Sequence, residues 1–166
     1  GKFTNVEFNF TIAKPEIQAA TGSSEIGKVY RNNNGISFVR ACREIMLHTE
    51  YLEPDPRERW WSCEVRFNHE ADNIFGVSKD KQRVENIKGK LDAESLEELM
   101  FNIKEAEDIN EKDDYYFECK ALVKIDEIIM TELGKLRTLI KKRGTGKRTV
   151  KEGEKPGGDV PDEIEP

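Results

Sequence analysis

Two lysines that follow a glycine turn are the residues whose setting best suits chemistry. Lys79 and Lys81 lie in segment 75–82, FGVSKDKQ, and the residues after it have the spacing typical of a short helix. A lysine presented on such a loop is a compact positive charge suited to binding a phosphate group. Spacing alone predicts this weakly, because lysines on a loop can equally be solvated surface residues. Phosphate binding by this segment is therefore a hypothesis that needs support from further motifs.

A short pattern of acidic residues suggests metal-dependent nuclease chemistry as an alternative. Asp55 follows a proline, and Glu64 and Arg66 stand two residues apart on a predicted strand, in the order of the PD…ExK nuclease pattern. In such a site two carboxylates hold a divalent metal, and a lysine steadies the attacked phosphate. Here Arg66 replaces the lysine, and arginine does not supply the same compact, tunable charge. The pattern is short and degenerate, so a nuclease using Asp55 and Glu64 is an outlying hypothesis.

Two other familiar kinds of site do not fit the sequence. Segment 143–148, RGTGKR, has an arginine after its lysine and trails a predicted helix. A P-loop instead needs GxxxxGK followed by Ser or Thr, between a strand and a helix. The two histidines, His48 and His69, are not spaced as metal ligands, and we expect both at the surface or at an interface.

Composition describes the environment of the protein more than its chemistry. Lys and Arg number 27 against 33 Asp and Glu, a net charge of −6, which argues against a surface that binds nucleic acid all round. No apolar run approaches the roughly 20 residues of a membrane helix. Three scattered cysteines, without CxxC spacing, predict reduced thiols in a cytoplasmic protein and neither a disulfide nor a zinc site: Cys42, Cys63 and Cys119.

Hydrophobic periodicity predicts an α+β fold, a mixed sheet that ends in a long amphipathic helix. Alternation of apolar and polar residues predicts three strands, at 6–12, 36–41 and 61–67. Long loops are expected at 16–34 and 47–59, where Gly, Ser, Asn and Pro accumulate. Apolar residues at three- and four-residue spacing predict short helices at 84–91 and 96–103 and a long one at 114–143. The second of these short helices has a strongly acidic surface.

The last part of the chain has the composition of a disordered tail. Segment 141–151 carries six positive and no negative residues, and 152–166 carries six negative residues and one positive. Such a sequence has too little apolar surface to offset the entropy lost on ordering. We therefore predict one domain over residues 1–143 and a charged, disordered tail over 144–166. Contact of the basic segment with DNA or RNA is an alternative function.

Several motifs in order carry a resemblance to a known family. They are GISFVRA at 35–41, REI at 43–45, RWW at 59–61, and FGVS followed by KQ at 75–82. Over residues 26–82 the chain resembles the second, transducer domain of GHKL-type ATPases, the superfamily of gyrase B, MutL, microrchidia proteins and heat-shock-type chaperones. Its motifs are most similar to those of prokaryotic proteins with a histidine-kinase-like ATP-binding domain.

The resemblance implies a ribosomal-protein-like fold, with helices on one face of the sheet, and a site. In such ATPases a transducer lysine touches the terminal phosphate of ATP bound to the neighbouring domain. Carried across, that lysine is Lys81, with Gln82 beside it and Lys79 as a rival. Lys79 and Asp80 replace a usually neutral pair, and Cys42 stands where glycine is common.

The rest of such an ATPase is expected outside this sequence. The chain opens without Met and enters a strand almost at once, which suggests a piece cut from a longer protein. The motifs of the nucleotide-binding half do not occur here, so ATP and Mg²⁺ are expected only in the parent, and the isolated chain is expected to be inactive. The predicted partner is the parent's N-terminal ATP-binding domain; a homodimer and nucleic acid stay open.

Three charged residues of the second strand region are candidates to support the lysine loop. Arg40, Arg43 and Glu44 lie in or next to the GISFVRA and REI motifs. They are candidates to brace the loop, although ion pairs at the end of a strand would explain them equally well.

Overall fold

A four-stranded mixed sheet forms the centre of this computed structural model, which describes residues 4–87, 89–110 and 112–144. The strands lie in the order β1-β4-β2-β3. β4 pairs antiparallel with β1 and parallel with β2, and β2 and β3 form an antiparallel hairpin. The predicted α+β class with a mixed sheet is confirmed. The strands are β1 (Glu7–Ile12), β2 (Gly35–Arg40), β3 (Arg43–His48) and β4 (Trp61–Phe67).

The two faces of the sheet differ in polarity because side chains alternate along each strand. In β4 the residues Trp61, Cys63, Val65 and Phe67 are buried against the helices. The residues between them, with their neighbours on β1 and β2, line an open polar depression on the other face. The arrangement of helices on one face is therefore also confirmed.

One strand and two helices were not predicted from the sequence. β3 (Arg43–His48) extends into the predicted connection 47–59, which also holds a 3-10 helix, Pro56–Trp60. α2 (Glu25–Asn32) lies within the predicted loop 16–34, and α1 (Pro15–Gln18) begins one residue before that loop and ends inside it. The prediction of that loop was wrong because its Gly, Ser and Asn residues include a helix cap: the Ser24 hydroxyl accepts a hydrogen bond from the Gly27 amide.

The prediction of a helix at 84–91 is also wrong. Val84 forms an isolated antiparallel bridge with Val77, so the chain turns back on itself instead of coiling. Val84 and Ile87 are buried, which accounts for their apolar character without a helix. Three apolar positions over eight residues fit a helix and an irregular buried segment equally well.

Three further helices complete the fold: α3 (Asp72–Phe75), α4 (Ala93–Asp108) and α5 (Asp114–Gly144). The long helix and the acidic helix before it are both confirmed. α4 packs on the first part of α5 around a small core of Ile103, Tyr116 and Cys119. None of the helices in the described ranges combines the length and apolarity needed to cross a bilayer. The tail predicted at 144–166 lies outside the described residues, apart from Gly144.

A buried ion pair joins the long helix to the strand side of the fold. The guanidinium of Arg137 on α5 donates to both carboxylate oxygens of Glu58, at 2.9 and 2.8 Å. The indole nitrogen of Trp61 donates to the same carboxylate at 2.9 Å, and Arg137 also donates to the Tyr51 carbonyl. Glu58 is 5% exposed, so its charge depends on these partners.

We predict that Glu58→Ala lowers the free energy of unfolding by about 3–5 kcal/mol, because it leaves the Arg137 charge buried without its main partner. Urea denaturation followed by circular dichroism measures the change. Glu53→Ala is the control, because Glu53 contacts the same guanidinium at 3.1 Å from a half-exposed position. That variant is expected to cost at most about 1 kcal/mol. Equal, small losses from both variants would contradict the importance of the buried pair.

His48 lies in the core, contrary to the expectation of a surface histidine. It ends β3 and is 4% exposed, with its ring edge-on to Phe38 and Tyr51. Burial lowers the pKa of His48, and a hydrogen bond with the backbone of Ile87 only partly opposes this.

The lowered pKa of His48 predicts that stability decreases as the pH falls from 7 to 5. Below about pH 6.5 the unfolded chain binds a proton at this histidine that the native state does not bind, so acid favours unfolding. Unfolding free energies measured across this range should show the slope in the wild type and a smaller slope in His48→Gln. Identical slopes in the two proteins would exclude His48 as the cause.

Candidate functional site

The lysine loop is closed by hydrogen bonds from its own side chains. The Val77–Val84 bridge forms its base, and the Ser78 amide donates to the Arg83 carbonyl at 3.0 Å. The Ser78 hydroxyl donates to the Asp80 carboxylate at 2.5 Å, and the Gln82 amide donates to the same oxygen at 3.2 Å. Asp80 thus stabilises the loop, and the hydrogen bond from the Ser78 hydroxyl holds the pKa of the Asp80 carboxyl below the usual value.

Lys81 is held in an uncommon backbone conformation at the end of the turn. Its φ is +59°, in the left-handed region that residues with a side chain seldom adopt, and its amide donates to the Ser78 carbonyl at 2.9 Å. Its ammonium Nζ lies 3.2 Å from Oδ2 of Asp72, and its side chain is 50% exposed. The loop therefore directs Lys81 back toward α3, with the amine still accessible to water.

Asp72 forms ion pairs with two cations, a role that was not predicted from the sequence. Arg40 donates to both of its oxygens, through Nε at 2.6 Å and Nη2 at 2.8 Å. The pKa of Asp72 is lowered, chiefly by the hydrogen bond from Arg40 and further by Lys81, while burial opposes both. The carboxylate stays ionised at neutral pH. Two cations on one carboxylate leave the cluster Arg40–Asp72–Lys81 with a net positive charge.

The sheet and α3 fix the position of this cluster. Arg40 is the last residue of β2, beside Phe67 at the end of the parallel strand β4. Asp72 begins α3, and Phe75 at the end of α3 is fully buried, with its ring stacked on Phe67 at 4.2 Å between centroids. The sheet end and the helix that hold the two charges are therefore locked together by aromatic packing.

Gly76 ends α3 and begins the loop, and only glycine suits its position. Its φ is +60°, and a Cβ there would lie 2.5 Å from Oδ1 of Asn86. The Asn86 amide nitrogen donates to the carbonyls of Asn73 and Ile74 in the last turn of the helix. The glycine of the FGV motif is thus required by the sharp change of direction that precedes Lys81.

The other predicted site residues do not belong to this cluster. Lys79 is exposed and, within the described part of the chain, makes no ion pair. Gln82 contributes its backbone amide to the loop. Glu44 accepts a hydrogen bond from Ser37 at 2.5 Å on the open face of the sheet. Arg43 is exposed at the start of β3, so of the three candidate braces Arg40 is the one that reaches the lysine through Asp72.

The residues of the nuclease alternative are each engaged by a neighbouring arginine. The carboxylate of Asp55 accepts bonds from Arg57 and caps the 3-10 helix. Glu64 accepts two bonds from Arg66 on the open face of the sheet, at 2.8 and 3.2 Å. Among the residues that the structure describes, no group of three or more His, Cys, Asp or Glu side chains is arranged to hold a metal ion.

Cys42 occupies a turn that favours glycine. The hairpin between β2 and β3 turns at Ala41 and Cys42, with φ of +47° and +67°. Two positive φ values are typical of the type I′ turn, whose second position is most often glycine. The turn follows Arg40 directly, so the strained residues border the cluster.

We predict that Cys42→Gly raises the free energy of unfolding by about 0.5–1 kcal/mol. A residue with a Cβ loses about 1–2 kcal/mol in the left-handed region, more than the roughly 0.5–1 kcal/mol of added entropy that glycine brings to the unfolded chain. Chemical denaturation measures the difference. Cys42→Ala, which keeps the Cβ, is the control and should leave stability nearly unchanged. A gain of equal size in both variants would mean that the thiol, and not the backbone, is responsible.

No protein-family model, curated protein or solved structure matches the chain. The chemistry of the site follows from its own residues. It offers an accessible ammonium on a loop closed by hydrogen bonds, beside a guanidinium whose orientation is fixed. Such a pair can attract and position an anion, and Lys81 is the member free to move.

Proposed function

We propose that this chain is the transducer domain of a larger GHKL-type ATPase. In this role it couples ATP binding in an N-terminal domain to a conformational change or to dimerisation. Lys81 supplies a positive charge to the terminal phosphate of the nucleotide. The observation that carries the proposal is the cluster Arg40–Asp72–Lys81, which joins residues from separate motifs of the family resemblance.

The two ion pairs of the cluster differ in strength, and this difference suits a lysine that changes partner. Arg40 binds Asp72 through two short bonds, and both side chains are less than one-fifth exposed. Lys81 makes one bond of 3.2 Å from a half-exposed side chain, and such a pair contributes at most about 1 kcal/mol. A phosphate with two negative charges can therefore draw Lys81 away from Asp72 while Arg40 keeps the carboxylate in place.

The packing around α3 supports a role in coupling. Phe75 at the end of α3 is in contact with Phe67 on β4 and with Phe38 on β2. α3 also packs against the long helix α5. Movement of Lys81 toward a nucleotide would break its ion pair with Asp72 at the start of α3. This helix contacts both layers of the fold.

The proposed chemistry is electrostatic and involves no proton transfer by this chain. In the transition state the transferred phosphoryl group carries negative charge on its three equatorial oxygens, and a positioned cation stabilises that charge while ADP leaves. ATP and Mg²⁺ would be held by the neighbouring domain. The three cysteines, all unpaired, fit the reducing cytoplasm, which we propose as the compartment.

We predict that Lys81→Ala in the longer protein lowers the turnover number for ATP by about 10²-fold, by analogy with the loss of other positioned electrostatic donors. The change removes no core packing, so the stability of the isolated chain should change by no more than about 1 kcal/mol. Steady-state ATP hydrolysis and chemical denaturation measure the two effects. Lys79→Ala is the matched control, because Lys79 lies on the same loop and has the same charge.

The comparison of the two lysine variants separates the explanations. Equal losses of turnover would indicate a diffuse basic loop in place of a specific contact by Lys81. Full activity of Lys81→Ala, in a protein shown to hydrolyse ATP, would overturn the proposed site.

A further inference from the structure

A groove follows the α4–α5 hairpin along its length, away from the lysine cluster. One part, of about 560 Å³, lies between the hairpin and residues 85–86 and 89–92. A second depression, of about 210 Å³, lies nearer the turn between the helices. Tyr115 lines both, and the α4 residues that line them follow one face of the helix at three- and four-residue spacing. The two parts therefore meet at Tyr115 and lie along the same face of α4, and we refer to them together as the groove.

The floor of this groove is apolar and open to solvent. Leu99 and Leu122 line the larger part. Ile109 and Tyr115, which line the part near the turn, are 61% and 54% exposed. Large apolar side chains that stay this exposed along a groove are typical of a surface that another segment covers.

The rim of the groove is strongly acidic. Six of its lining residues are carboxylates and one, Lys90, is basic: the acidic residues are Glu85, Asp92, Glu98, Glu105, Asp113 and Glu118. The segment that would complement this rim should therefore be rich in lysine and arginine. Segment 141–151 of this chain has that composition, with six positive and no negative residues.

The basic segment cannot reach the centre of the groove in its own chain. α5 is one continuous helix from Asp114 to Gly144, so Glu118 lies about 39 Å along the axis from Gly144, at about 1.5 Å per residue. The seven residues 145–151 span at most about 25 Å when fully extended. Glu98 lies near Cys119, whose thiol its charge influences, and is therefore equally distant. The basic segment of a second copy is free of this restriction.

We propose that the groove along α4 and α5 binds the basic segment 141–151 of a second copy of the chain. The exchange is reciprocal, because each copy carries one groove and one basic segment. Two copies related by a twofold axis satisfy both sites and leave neither free for a third. The contact combines an apolar floor with opposite charges at the rim, and it weakens as salt screens those charges.

Sedimentation velocity of the full chain over a range of protein concentrations tests the proposal. The expected result is a dimer at low salt that dissociates as the salt concentration rises. Glu98→Lys/Glu118→Lys should raise the dimer dissociation constant at least tenfold, because like charges then face each other, and Lys147→Glu/Arg148→Glu should do the same. The melting temperatures of these variants should stay near that of the wild type.

Mixing the two double variants is the decisive step. In a mixed dimer one site brings the two introduced lysines of the groove to the two introduced glutamates of the segment, and the other pairs the wild-type groove with the wild-type segment. Association should therefore return to near the wild-type level. Glu94→Lys/Glu97→Lys is the matched control, because these exposed α4 residues carry the same charge but do not line the groove. This control should dimerise like the wild type.

Three outcomes would overturn the proposal. One is a chain that stays monomeric at low salt at every concentration. A second is a dimer that neither double variant weakens, which would place the interface elsewhere. The third is loss of binding to labelled duplex DNA in Lys147→Glu/Arg148→Glu while dimerisation is unchanged, which would assign the basic segment to nucleic acid.

Discussion

The buried ion pair between Glu58 and Arg137 is the constraint on which the arrangement of the two layers depends. A carboxylate that is 5% exposed needs charged and hydrogen-bonding partners, and it finds them on α5 and on Trp61. Hydrophobic contact alone would let a long helix slide or rotate on the sheet, because apolar burial has no direction. The paired bonds from the guanidinium to Glu58 select one position of the helix.

Fixing α5 in this way also fixes what is attached to it. α4 packs on the first half of α5, and α3 packs against α5 beside the end of the sheet. The cluster of Arg40, Asp72 and Lys81 therefore rests on a rigid base, although its lysine is half-exposed. The positive φ angles at Cys42, close to Arg40 in the chain, and at Lys81 concentrate backbone strain at the cluster. Such strain persists only where the surrounding structure holds it in place.

The segment after the lysine loop connects the two surfaces for which we propose functions. The amide of Glu85 donates to the carbonyl of Phe75, so this segment is bound to the end of α3. A few residues later, the amide of Leu91 donates to Asp126 on α5, and the segment forms one wall of the groove. A displacement of the Lys81 loop thus has a short covalent and hydrogen-bonded route to the groove wall. Nucleotide binding and association of two copies would share that route under the two proposals.

The sequence by itself determined the elements whose pattern is strong and local. Three strands, the acidic helix and the long helix follow from apolar periodicity, and the FGVSKDKQ segment already indicated Lys79 and Lys81 as candidate cations. Only the tertiary structure decided the rest. β3, α2 and the turn at Val84 depend on a cap and on burial by distant residues, which local composition does not reveal. The roles of Asp72, Glu58 and the groove depend on side chains that lie 9 to 79 positions apart in the chain. A local sequence pattern does not show which of these distant residues come into contact.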